Sequence, residues 1–186
     1  MIPVNPTKIV CIGRNYLAHA RELGNELPPE PLIFLKPPSA LLAPGEPIVL
    51  PPQSQQVEYE GEIGARLGFI CVNDVTARDL QKSDGQWSRA KGFDTFCPVG
   101  PAVVEGLDWR TLEVRTRVNG VERQHGRTAD MAYSIPVILS YISRVMTLEP
   151  GDLIPTGTPA GVGRLASGDV VEVEVPGIGI LRNPVR

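Results

Sequence analysis

Apolar residues along this chain fall into short runs rather than long helical stripes. Lys8 to Ile12, Leu32 to Leu35 and Ile48 to Leu50 are strand-length and bounded by Gly or Pro, as buried strands tend to be. From Leu112 to Val118 apolar or Thr residues alternate with charged ones. Asn119-Gly120 then supplies the positive φ values of a type I′ turn before Val121, which predicts a hairpin. The run from Asp169 to Val175 alternates likewise, and Pro176-Gly177 turns it toward Ile178 to Leu181, a second hairpin. Two segments read as helices. One begins at Ser134 as N-cap, with Ile135, Ile138, Leu139, Ile142 and Met146 on one face, and covers a sheet. A shorter one starts near Asn15, carries His19 and Glu22, and meets Gly24 where a C-terminal glycine is expected.

Composition sharpens this β-rich picture. Gly and Pro number 19 each, so turns are frequent and strands short. A length of 186 residues fits one domain over 1–186. The net charge of −3 offers no broad basic surface, which argues against nucleic acid as a partner. No stretch approaches the ~20 apolar residues that span a bilayer, and the first residues lack a signal-peptide layout, so the expectation is a cytoplasmic protein with no membrane partner. Cys11, Cys71 and Cys97 are widely spaced and odd in number, and are expected to be small buried hydrophobes.

Several segments carry residues suited to chemistry. In Val57-Glu58-Tyr59-Glu60-Gly61-Glu62 the two-residue period of a strand puts Glu60 and Glu62 on one face. That pattern fits either a solvated acidic edge strand or a site for a hard divalent cation. Asp74 is placed to cap a helical turn, after which Asp74, Arg78 and Gln81 would share a face, either as plain surface or as a carboxylate-binding surface. His19 and Glu22, three apart, form either an inert pair or a dyad that activates water. Lys91, between Trp87 and Phe93, is either a surface lysine or a partly desolvated partner for an anion. Thr156-Gly157-Thr158-Pro159 opens a glycine-rich loop able to offer backbone N–H groups to an anion, without the order of a dinucleotide fingerprint. His125 reads as a loop residue.

Taken in order, these stretches resemble the catalytic domain of the fumarylacetoacetate hydrolase family through nearly the whole chain. Gly13-Arg14-Asn15-Tyr16 with His19 and Glu22 resembles the family's lid helix, Phe34-Leu35-Lys36-Pro37 its following strand, and Tyr59-Glu60-Gly61-Glu62 its metal strand. Asn73 to Gln81 resembles the third-ligand segment, Lys91-Gly92-Phe93-Asp94 the active-site lysine segment, and Thr156-Gly157-Thr158-Pro159 the substrate loop. The resemblance implies an α+β, mainly β fold, a mixed β-sandwich roll with a few short helices, assembled as a homodimer. It implies that Glu60, Glu62 and Asp74 bind Mg²⁺ or Mn²⁺, that His19, Glu22 and Lys91 are catalytic, and that Arg78, Gln81 and Thr158 bind a small 2-oxo acid. The activity it suggests first is hydrolysis of a C–C bond in a 3-acylpyruvate through an enolate, as in aromatic catabolism. Tautomerisation or decarboxylation, as in 2-hydroxyhepta-2,4-diene-1,7-dioate isomerases and oxaloacetate-acting relatives, is the alternative, and a non-catalytic metal-binding protein is a reading of another class.

One spacing departs from the family. Glu62 and Asp74 are only twelve apart, where the family has a longer connector containing a helix. A segment of about fifteen to twenty residues, the length a parallel crossover needs, is either lost or passed over between Glu62 and Phe69. The second option is the expectation, because Ile63 to Phe69 would otherwise reverse sharply between two buried strands. It predicts a chain break there.

Overall fold

The computed structural model describes residues 4–65 and 67–186. Its strands are β1 (Ile9–Gly13), β2 (Leu32–Lys36), β3 (Leu41–Leu42), β4 (Val57–Tyr59), β5 (Gly61–Ala65), β6 (Phe69–Asn73) and β7 (Thr76–Ala77). They continue as β8 (Cys97–Val104), β9 (Glu113–Val118), β10 (Val121–Arg127), β11 (Ile154–Pro155), β12 (Gly163–Arg164), β13 (Val170–Val175) and β14 (Gly179–Pro184). The α-helices are α1 (Leu17–Glu22), α2 (Arg78–Asp84), α3 (Ser88–Lys91) and α4 (Ile135–Val145).

A five-stranded sheet in the order β11-β5-β6-β8-β3 forms the centre. Alternation along β6 shows how it is covered: Ile70 and Val72 face Ile9, Cys11 and Leu153, while Cys71 faces Val114, Val173 and Leu181 of the four-stranded sheet β10-β9-β13-β14. Strand β1 is buried on both sides. Its Ile9 and Cys11 meet the central sheet, and its Val10 and Ile12 pack under Ile135, Ile138 and Ile142 of α4. Hence the segment reads as an unbroken apolar run rather than an alternating one. Each of those helix isoleucines contributes roughly 2 kcal/mol by leaving water.

Both hairpins form as expected. Asn119 and Gly120 take φ of 53° and 77° between β9 and β10, and β13 pairs with β14 from Val175↔Gly179 to Val170↔Pro184. The helix α4 begins after Ser134, and Gly24 follows α1 at φ 70°. The three cysteines are buried and free, and burial pushes the thiols of Cys71 and Cys97 up to about 12.

Four expectations are corrected. Ile48 to Leu50 is no strand: Ile48 makes one isolated bridge to Val185, since Pro47, Pro51 and Pro52 around it donate no backbone N–H. The stretch Val57 to Glu62 breaks at Glu60 into β4 and β5, which lie in different sheets. Asp74 does not cap a helix: the strand β7 intervenes, Ala77 precedes α2, and no side chain caps it. His125 lies within β10, with its Nε2 3.1 Å from Glu113 Oε2. The predicted break between Glu62 and Phe69 includes Arg66, which is outside the described residues. On either side of it β5 and β6 pair antiparallel, with Ala65 opposite Phe69.

Candidate active site

The break at Glu60 is what assembles the site. Its N–H donates to Asn73 Oδ1 at 3.0 Å, and its carbonyl accepts from the N–H of Asp74 at 2.8 Å. These bonds clamp the start of β5 to the end of β6, so Glu60, Glu62 and Asp74 converge with ligand atoms all within 4.8 Å of one another. All three are buried, which removes the reading of a solvated acidic edge. A glycine is required between the two glutamates, because a Cβ on Gly61 would lie 1.9 Å from Thr116 Oγ1.

Three buried cations face these carboxylates. Lys91 Nζ reaches Glu60 Oε2 at 2.8 Å and Asp74 Oδ2 at 2.6 Å, and lies 4.8 Å from the Phe34 ring centroid. Lys36 Nζ reaches Asp74 Oδ1 at 2.7 Å. Arg78 donates to Glu58 Oε2 at 2.7 Å and to Glu60 Oε1 at 2.5 Å. Burial alone would raise the Glu60 carboxyl, but Lys91 and Arg78 outweigh it and hold the group well below the usual carboxylate range. Glu62 is the opposite case. Burial, with Asp74 and Glu60 close by, pushes its carboxyl well above that range, against Lys91 and one N–H bond from Gly157 at 2.7 Å. Four buried carboxylates, counting Glu58, thus face three cations, and among the described residues no lysine or arginine pairs with Glu62. Three hard oxygen donors with surplus negative charge are the set that a divalent cation satisfies.

A cleft of about 460 Å³ opens over the triad, lined by His19, Glu22, Glu60, Glu62, Arg78 and Lys91 among others, with Gln81 and Thr158 also on its wall. His19 Nδ1 lies 3.2 Å from Glu22 Oε2, and the N–H of Gly161 donates to the same carboxylate, 3.0 Å from Oε1 and 3.2 Å from Oε2. Arg78 donates to Gln81 Oε1 at 2.5 Å. The glycine-rich loop does offer its N–H groups to acceptors, but at Gly157 and Gly161 those acceptors are the carboxyl groups of Glu62 and Glu22.

Eight of the nine residues predicted for the site line this cleft, and the ninth, Asp74, is buried beside Glu60 and Glu62; His19, Lys91 and Arg78 are buried too. Sequence reasoning missed the structural roles of Lys36, Glu58 and Gln124. Lys36 had one available signal, since on strand β2 it faces opposite to the half-exposed Leu35 and so points inward. Gln124 had none, because its partners Gly61 and Thr158 are remote in sequence.

The family profile described as fumarylacetoacetate (FAA) hydrolase, C-terminal, matches residues 8–71 and 66–186. A protein of Pyrococcus horikoshii is 50% identical over 199 residues, covering 95% of this chain and 86% of its own length. The oxaloacetate tautomerase of Bacillus subtilis is 39% identical over 214 residues, 99% of this chain and 71% of that protein. Among solved structures, a 2-hydroxyhepta-2,4-diene-1,7-dioate isomerase from Mycobacterium marinum superposes with a TM-score of 0.91 at 48% identity, covering 99% of this chain and 76% of its own. A 5-carboxymethyl-2-hydroxymuconate delta-isomerase from Mycobacterium smegmatis gives 0.92 at 46%, with 99% and 80% covered. The Bacillus alignment is longer than the 186 residues here, so that relative carries positions this chain lacks. The two segments of the family match overlap at 66–71, within the short spacing between Glu62 and Asp74. With the fold and most of its length shared, this chain belongs to the fumarylacetoacetate hydrolase family.

Proposed function

We propose that this protein interconverts the keto and enol forms of a small 2-oxo acid, and that Glu60, Glu62 and Asp74 hold Mg²⁺ or Mn²⁺ for the purpose. The carrying observation is a buried carboxylate triad beside a lysine ammonium, with a His-Glu pair over the same cleft. A divalent ion in that triad supplies positive charge for the carboxylate and 2-oxo group of the ligand. His19, oriented by Glu22, takes the proton from the carbon next to the carbonyl, and the enolate oxygen so formed gains a proton from solvent to give the enol; the reverse transfers return the keto form. Lys91 is kept protonated by Asp74 and Glu60 in spite of its burial, and its charge opposes the negative charge that develops on the enolate oxygen. Gln81 spends its carbonyl on Arg78 and offers its amide N–H groups to the ligand carboxylate.

The same dyad could activate water for C–C hydrolysis, the activity that the family resemblance suggests first. The names of the relatives, an oxaloacetate tautomerase and two isomerases, support tautomerisation instead. The reading takes a small 2-oxo acid as the only ligand besides the ion, and a homodimer as the assembly. Its test is the decay of enol oxaloacetate, followed by absorbance with Mg²⁺ and after EDTA, beside acetylpyruvate cleavage. Mg²⁺-dependent acceleration of the enol decay without cleavage is the expected result. Cleavage of acetylpyruvate at a comparable rate would restore the hydrolase reading, and activity toward neither compound would return the protein to the non-catalytic class.

A further inference from the structure

Asn15 lies between β1 and α1, just ahead of the helix that carries His19 and Glu22, and it is fully buried. Its amide nitrogen donates to Thr156 O at 2.8 Å and to Tyr133 O at 3.1 Å, and its Oδ1 accepts from the N–H of Tyr133 at 2.8 Å. A backbone carbonyl only accepts and a backbone N–H only donates, so both amide protons are committed and the two ends of the side chain cannot exchange places. The carbonyl of Thr156 and the N–H of Gly157 belong to one peptide group, and that N–H donates to Glu62 Oε2 at 2.7 Å. A trans peptide unit is planar and rigid, with its C=O and N–H pointing in opposite directions. Asn15 and Glu62 therefore grip the same peptide from opposite ends. Gly157 takes φ 103°, and a Cβ there would lie 2.7 Å from Asn15 Cβ, so the loop rests directly on this residue.

The same loop is tied again at Gly161, whose N–H holds Glu22. The helix between these ties is six residues long and buries only His19 and Ala20. A helix this short has little stability of its own, so its anchors set its position. We infer that Asn15 is a positioning residue that couples the carboxylate triad to α1. A divalent cation that fixes Glu62 also fixes the Thr156–Gly157 peptide, and through Asn15 it fixes the start of the helix that presents His19 and Glu22. The inference rests on the metal reading given above. Coupling of this kind is reciprocal: α1 held in place tightens the ion by the same factor that the ion tightens α1. Asn15 itself does not line the cleft, so it acts through its neighbours.

Amide hydrogen exchange of the full chain, read by mass spectrometry over residues 17–23 with and without saturating Mn²⁺, tests the coupling. In the unaltered protein Mn²⁺ should slow exchange there by about tenfold, within the ordinary range for coupled sites. In Asn15→Ala, and in Asn15→Asp, which keeps the size but loses both donors, exchange should be fast and should respond to Mn²⁺ by less than about twofold, with Mn²⁺ bound about tenfold more weakly by calorimetry. A merely structural role would speed exchange in both states alike and leave the Mn²⁺ effect intact. Should neither variant fold, the side-chain amide protons of Asn15 in the unaltered protein, followed by NMR, should exchange about tenfold more slowly with Mg²⁺, and no change would overturn the part given to Asn15. An Asn15 variant that keeps the full Mn²⁺ effect overturns that part as well. Binding of Mn²⁺ without added protection of 17–23 overturns the coupling alone, and absence of Mn²⁺ binding overturns the metal reading and this coupling with it.

Discussion

Glu22 is held by two partners, the imidazole of His19 and the N–H of Gly161, although its side chain keeps about a third of its surface exposed. Such a residue is fixed in place yet reachable by solvent protons, as a group that orients a base and relays a proton must be. It lies outside the carboxylate triad. Glu22→Gln preserves size and one acceptor but removes the charge that steadies a protonated His19. Turnover of oxaloacetate should fall by about 10² or more, while Mn²⁺ affinity stays within about twofold. An unchanged rate would make the pair a surface contact. That His19 and Glu22 could meet was legible from their i, i+3 spacing; that the cleft lies beneath them was not.

At the scale of elements, the hairpin β9–β10 backs the carboxylate strand. Thr116 from β9 fills the space under Gly61, and Gln124 from β10 holds its N–H. Gly61→Ala would force a Cβ against Thr116 Oγ1 in a fully buried position, and overpacking of this kind costs about 1–3 kcal/mol. The expected outcome in chemical denaturation is a lower midpoint with the slope retained, together with weaker Mn²⁺ binding because Glu60 and Glu62 flank the displaced peptide. Adding Thr116→Ala should recover most of the stability. If the single variant is as stable as the parent, the close approach does not constrain this strand.

Across the whole molecule, Asp152 joins the first described strand to the loop before β11. Its carboxylate accepts from Thr7 Oγ1 at 2.7 Å, from the N–H of Lys8 at 3.2 Å and from the N–H of Glu149 at 2.8 Å, and pairs with the Lys8 ammonium. Burial works to raise this carboxyl, but Lys8 and the other donors outweigh it and bring it down to about 2. A depressed carboxyl stabilises the fold at pH values above its unfolded value near 4, and that contribution is lost as pH falls toward 2. Asp152→Asn should therefore cost about 2 kcal/mol at pH 7 by urea denaturation. The gap to the parent should close near pH 2. A gap independent of pH would trace the loss to shape rather than charge. The bridge Ile9↔Leu153 lies beside it, so the same contact seats β1 under α4.

Local chemistry was readable from the chain alone. Asn119-Gly120 dictates its turn because few other pairs accept two positive φ angles, Ser134 and the isoleucine spacing dictate α4, and the alternation of Glu60 and Glu62 dictates a shared face. The resemblance carried the fold and every proposed ligand to numbered positions. Tertiary structure alone decided the rest. Whether an acidic strand is a wet edge or a buried site depends on what covers it, and here α1, the loop after β11 and three cations from β2, α2 and α3 do so. Lys36, Glu58 and Gln124 act through partners remote in sequence, in contacts that no local pattern encodes. The direction of each hydrogen bond at Thr158 likewise exists only once β5, β10 and the loop are packed together, because a hydroxyl in isolation can point its proton anywhere.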